Sequence, residues 1–297
     1  MGGKGARIVL GAAGLVLAAS VAGAEPFWGS RPLSQWMLML QGSDQSARAE
    51  AARALAQIAL THEPGTIDPA VPHLIDALAA DVPALRLSAT SALEHAGRAA
   101  LPAQPRLLDM FERDPDAGVR AQAGIALTRL APADGDLVLA CGRVLGADSD
   151  ARVRQTAAAA LVQAGASAGP AEPAVRQALG DDDPTVRVFA AGVVGQLGRP
   201  RDALPVLLQG LSDADPAVRA EAAGLLGAVD AAPEAVIAPL ISALRDDDIE
   251  VRLAAAEALG QVGPAAQPAL QPLWRLIRDP DERVRDSALR AIKKIRD

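Results

Sequence analysis

The stretch DDDIEVRLAAAEALGQVG, Asp246 to Gly263, reads as an acidic turn, one helix and a stop. Asp248 stands where an N-cap belongs, its carboxylate able to accept from the free N–H groups of the first turn. Val251, Ala255, Ala256, Ala258, Leu259 and Val262 then follow at helical spacing, and Gly263 is suited to ending a helix. Upstream, a first helix starting near Pro233 carries Val236, Ile237, Leu240, Ile241 and Leu244 on one stripe before Asp246-Asp247-Asp248 breaks it. Residues 231–263 therefore predict two antiparallel helices joined by an acidic turn. The capping logic is explicit twice more. Asp183-Pro184 and Asp215-Pro216 set a carboxylate before proline at the first helical position.

The Val-Arg step inside that stretch is a ruler. It recurs at Val119-Arg120, Val153-Arg154, Val186-Arg187, Val218-Arg219, Val251-Arg252 and Val284-Arg285, and the Arg numbers differ by 34, 33, 32, 33 and 33. Degenerate copies, Leu85-Arg86 and Ala47-Arg48, precede the series at steps of 34 and 38. A fixed period of this size means one supersecondary unit stacked many times, which is a solenoid. The units fall at about 30–61, 66–97, 98–131, 134–165, 168–198, 199–230, 231–263 and 264–297.

Each Arg sits near the positive end of its helix dipole, where a cation is mildly disfavoured. An acidic column six residues earlier, Asp114, Asp148, Asp181, Asp213, Asp246 and Asp279, offers compensation to Arg120, Arg154, Arg187, Arg219, Arg252 and Arg285. The expectation is a structural ladder in which each Arg bridges Asp residues of its own and a neighbouring repeat through charge-assisted bonds. Gly42 and Ala80 hold the Asp positions of the first two repeats, so the ladder is expected to fade there.

Half of the residues are apolar, with alanine dominant and no Tyr, which suits closely stacked helices. Residues 1–24 read as a cleavable signal peptide: Lys4 and Arg7 form a positive start, Ile8 to Ala19 is apolar, and Ala22-Gly23-Ala24 is a small-residue cleavage site. The other reading is a membrane anchor, for which the run is short and Gly/Ala-rich. Residues 25–297 then form the solenoid, periplasmic or secreted. Removing two cations takes the net charge from -7 to -9. That acidity argues against nucleic acid, which needs a basic stripe; only Arg290, Lys293, Lys294 and Arg296 are locally basic. Cys141, the one cysteine, falls in an apolar helical stretch and reads as a buried thiol.

Two-helix units of about 33 residues with D-x-D-P-x-V-R followed by A-A-x-A-L-G-x-h-G resemble HEAT repeats. The nearest subtype is the short bacterial kind also found in phycobilin lyases. Asp246–Gly263 carries the resemblance best, and Asp181–Gly198, DDDPTVRVFAAGVVGQLG, nearly as well; it extends over roughly residues 30–297 in eight units. The opening FWGSRPLSQWMLML is similar to the lead-in of exported bacterial HEAT proteins, with Trp36 capping the stack. The resemblance implies an all-α, right-handed superhelical α-solenoid.

Enzymes of this architecture do not fit the residues. The di-iron site of deoxyhypusine hydroxylase needs several His-Glu pairs, and this chain has one, His62-Glu63, with His73 and His95 scattered elsewhere. An exported protein would not meet the phycobilin lyases' substrate. The triplets Asp181–Asp183 and Asp246–Asp248 lack the mixed ligand pattern of a calcium loop. Ser88, Ser91 and His95 share a helix face without a placed acid. Gly192, Gly195 and Gly198 lie within or at the end of a helix and read as packing positions. No catalytic residue, metal or cofactor is expected.

The expected function is protein binding on the concave face, which the second helices line. Two, five and nine residues after each Arg lie on one side of those helices. The middle of that surface, Gln122, Arg129, Thr156, Gln163, Phe189 and Gln196, is the candidate peptide-binding groove, with Phe189 as aromatic anchor among amides. The alternative is an envelope-associated structural array without a discrete site, or an accessory factor in enzyme assembly.

Overall fold

The computed structural model describes residues 25–229 and 233–297, with two-residue strands at Ile8–Val9 and Val16–Leu17. The expected leader, residues 1–24, lies outside the described residues but for those strands. The chain is all-α and divides into two compact units, residues 1–131 and 132–297. Unit 1 holds three helix pairs: α1 (Leu33–Leu40) with α2 (Gln45–Thr61), α3 (Val71–Ala77) with α4 (Pro83–His95), and α5 (Gln104–Arg113) with α6 (Ala117–Leu130). Unit 2 holds five. They are α7 (Gly135–Ala147) and α8 (Ala151–Ala164), α9 (Glu172–Ala178) and α10 (Pro184–Gln196), α11 (Pro200–Gly210) and α12 (Pro216–Ala228), α13 (Pro233–Ala243) and α14 (Ile249–Val262), and α15 (Leu270–Leu276) and α16 (Glu282–Arg296). A short antiparallel ribbon, Phe27–Trp28 with Arg31–Pro32, leads into α1. Trp36 is buried, with Arg31 stacked 5.0 Å from its ring centre.

Local chemistry explains why each second helix starts where it does. Asp248 accepts from the N–H groups of Glu250 and Val251 at 2.8 and 3.3 Å, and α14 ends at Gly263, whose φ of 71° suits a residue without Cβ. Asp183, ahead of Pro184, accepts from Val186 at 3.0 Å; Asp215, ahead of Pro216, accepts from Ala217 at 2.8 Å. Second helices pack side by side through alanine and glycine. In α14, Val251, Ala255, Ala256, Ala258 and Leu259 are fully enclosed. A Cβ on Gly192 would meet Leu225 at 2.8 Å, and one on Gly195 would meet Val229 at 2.5 Å, so α10 and α12 approach closely because these positions are glycine. Among the described residues four repeats open with a 3₁₀ turn, Asp68–Ala70, Gly97–Ala103, Gly165–Ala171 and Gly263–Ala269, which the sequence pattern does not announce. Among the described residues no helix is long and apolar enough to cross a membrane.

Candidate protein-binding face

The recurring geometry of the Arg column is local and structural. Arg154 donates through Nε and Nη2 to both carboxylate oxygens of Asp181, at 2.8 Å each, and through Nη1 to the carbonyls of Asp148 and Ser149 at 3.0 and 3.3 Å. Arg219 with Asp246 and Arg252 with Asp279 repeat this arrangement. The expected bridge between two carboxylates is therefore corrected in one respect. Arg154, Arg219 and Arg252 each take their own repeat's Asp through the backbone carbonyl and the next repeat's Asp through the side chain. The ladder Asp also accepts from the N–H two residues on: Asp181 from Asp183 at 2.9 Å, Asp213 from Asp215 at 2.9 Å. It thus shapes the turn that presents the N-cap. Arg120 and Arg285 bond the carbonyls of Asp114 and Asp279, both at 2.8 Å.

Two rungs depart from expectation. Arg86, in a repeat lacking the Asp, makes an ion pair more enclosed than those of Arg154, Arg219 and Arg252, with Asp114 at 2.7 Å and side-chain exposures of 7% and 4%. Ala80 needs to supply only a carbonyl, which it does at 2.9 Å. The ladder fades one repeat earlier, at Arg48, whose Nε finds the Leu40 carbonyl. Within unit 2, Arg187 bonds the carbonyls of Asp181 and Asp182 but forms no ion pair with Asp213. Only 26 residues separate that pair, against 27 for Arg154–Asp181, Arg219–Asp246 and Arg252–Asp279.

The residues of the expected groove fall into both units. In unit 1, Gln122 and Arg129 of α6 both hold the carboxylate of Glu94 on α4: Gln122 donates to Oε2, and Arg129 Nε lies 2.8 Å from Oε1. Glu94 is 8% exposed, so both side chains are engaged in closing the α4–α6 seam. Glu94 went unremarked in the sequence, although a signal existed. It stands eight residues after Arg86, where the other repeats place Ala56, Thr128, Val162, Gly195, Gly227, Gly260 and Lys293. In unit 2, Gln163 is exposed, and Phe189 and Gln196 are half-buried. Thr156 Oγ1 donates back to Arg152 O at 2.9 Å. The Gln196 Oε1 atom is enclosed and has no hydrogen-bond partner.

A family model of HEAT repeats matches residues 142–208 and 204–293, more than half of the chain. The chain belongs to the HEAT-repeat family. A model of the PBS lyase HEAT-like repeat matches residues 47–80 as well. No curated protein matches. Among solved structures, the chain is similar to an engineered protein (TM-score 0.54, 23% identity, 89% of this chain and 78% of that one). It is also similar to YIBA of E. coli (TM-score 0.54, 19% identity, 88% and 92%). At these identities the likeness is one of fold.

Within the HEAT repeats the reactive residue types are tied up locally. His62 Nδ1 lies 3.1 Å from Ile58 O, His73 bonds Gln41 at 2.9 Å, and His95 Nδ1 lies 2.8 Å from Ser91 O. Ser88 donates to Ala84 O at 2.8 Å, away from His95. Burial pushes the Cys141 thiol up to about 12, far from thiolate reactivity. No cluster of three or more His, Cys, Asp or Glu among the described residues could hold a metal ion. At the C-terminal end, Glu257, Gln261, Ser287, Arg290 and Lys294 line a pocket of about 180 Å³ between α14 and α16.

Proposed function

We infer that this protein is a non-catalytic interaction module that captures an extended polypeptide on the second-helix face of unit 2, centred on Phe189. One observation carries the reading: Phe189, on the second helix α10, is half-buried instead of enclosed in the helix stack. An aromatic ring that keeps solvent-facing area offers an anchor that costs little side-chain entropy on binding. Gln163 and Gln196 flank it with amides able to pair with an extended backbone. Gln122 and Arg129, engaged with Glu94, are left out of the site.

The test is capture by the immobilised protein from an envelope extract, read by mass spectrometry, with wild type beside Phe189→Ala. The expected outcome is a defined set of partners depleted at least tenfold by the substitution, with the helical circular-dichroism signal unchanged. Equal capture by both would refute the site. The same reading places the protein outside the cytoplasm, supported by Lys4, Arg7, the run Ile8–Ala19 and Ala22-Gly23-Ala24. N-terminal sequencing of the protein recovered from cells should begin at Glu25. A start within residues 1–7 would sink export by cleavage.

A further inference from the structure

One hydroxyl near the end of unit 2 behaves differently from its equivalents in other repeats. Ser88, Thr156 and Ser287 each stand two residues after their repeat's Arg. Ser88 donates to Ala84 O at 2.8 Å and Thr156 to Arg152 O at 2.9 Å, the way helical hydroxyls commonly satisfy themselves. Ser287 makes no such bond. It is 1% exposed, and its Oγ has no hydrogen-bond partner. A buried hydroxyl left unpaired is destabilising. Ser287 also lines the cavity of about 180 Å³ between α14 and α16.

The walls of that cavity carry an excess of positive charge. Of the positions two, five and nine residues after each Arg, unit 2 places cations only in α16, at Arg290 and Lys294. Their spacing sets both on one helix face with Ser287. Lys294 makes no ion pair or hydrogen bond among the described residues. Its stem lies over α14, where a Cβ on Gly260 would meet Lys294 Cδ at 3.6 Å. Arg290 Nη2 stops 3.5 Å from Glu257 Oε1, whereas Arg283 and Glu250, across the same two helices, close to 2.8 Å. Arg290 therefore keeps donors for a further acceptor. Two cations against the one carboxylate of Glu257 leave a single positive charge around the cavity. That balance suits a monoanion, because Glu257 in the same wall repels a second negative charge. The geometry points to this cavity as the receptor for a carboxylate of a polypeptide, borne by an acidic side chain or by the C-terminus. Lys294 and Arg290 take its charge, and the unpaired Ser287 hydroxyl gains an acceptor. The site stands on α14 and α16 and does not depend on Phe189 of α10.

The probes are short acetylated Gly-Ser peptides titrated into the isotope-labelled full chain, read by the amide NMR signals of Gly260, Gln261, Ser287, Arg290 and Lys294. One peptide ends in a free carboxylate and one in an amide. Two more, both amidated, carry a central glutamate or a central phosphoserine. Saturable shifts from a carboxylate peptide, with the neutral amide silent, bear the inference out, and the tighter of the two carboxylate peptides names the source. Lys294→Gln and Ser287→Ala should each weaken that binding at least fivefold with the helical circular-dichroism signal retained. Lys293→Gln, which removes an equal charge at the neighbouring position, should leave it intact. Phe189→Ala should leave it intact too, so that either site can fail without the other. No shift from any peptide, an equal response to the neutral amide, or tighter binding of the phosphoserine peptide overturns the inference. So does binding indifferent to Lys294→Gln or Ser287→Ala.

Discussion

Arg154 and Arg187 stand at equivalent places in successive repeats and make different bonds. Arg154 closes on Asp181 with two 2.8 Å contacts, whereas Arg187 has carbonyls alone. Removing Arg154 leaves a carboxylate of 11% exposure without its cation, so Arg154→Ala should cost about 2–4 kcal/mol. Arg187→Ala orphans no carboxylate and should cost about 1 kcal/mol. Urea unfolding of the two variants checks this, and equal losses would mean that the carboxylate rung adds nothing. The arginine column was legible in the sequence because it recurs. Its acceptors were not, because sequence spacing does not separate a carboxylate from the carbonyl of the same residue. Glu94 was missed for the opposite reason: it occurs once, so no period announces it.

The second helices show how glycine acts differently at two positions of one element. Gly227 of α12 sits against the Ala258 backbone at 2.6 Å and Gly224 against nothing. Gly227→Ala should destabilise by about 1–3 kcal/mol through overpacking. Gly224→Ala should stabilise by about 0.5–1 kcal/mol. Thermal unfolding distinguishes them, and a loss of stability at position 224 would show that the space around it is not free. The helix pairs themselves were readable from caps and apolar spacing. The 3₁₀ turns that open four of the described repeats were not. They occupy Gly-, Ala- and Pro-rich stretches without a period of their own, and their conformation is set by the helices on either side.

Over the whole molecule the rungs act together with pH. The Arg219 guanidinium holds Asp246 below the ordinary carboxylate range. For Asp181 and Asp279 burial pulls upward, but hydrogen bonds from Arg154 and Arg252 with backbone N–H groups leave both depressed. A carboxyl depressed in the folded state contributes stability above its unfolded value and loses it as pH falls through the folded one. The urea midpoint should therefore hold at neutral pH and drop below about pH 4, the ordinary Asp value. Asp246→Asn should lower the neutral midpoint and flatten the acid decline; an unchanged decline would assign acid sensitivity to other groups. The sequence by itself determined the class of fold, the repeat length and the N-caps, because these follow from period, apolar spacing and residues that act within a few positions of themselves. Only the tertiary structure decided which Arg meets a carboxylate, that Gln122 and Arg129 are taken by Glu94, and that Phe189 stays half-buried. The rungs depend on the register between neighbouring helices: separations of 27 and 28 residues between an Arg and the next Asp carry a rung, and the 26 of Arg187 and Asp213 does not.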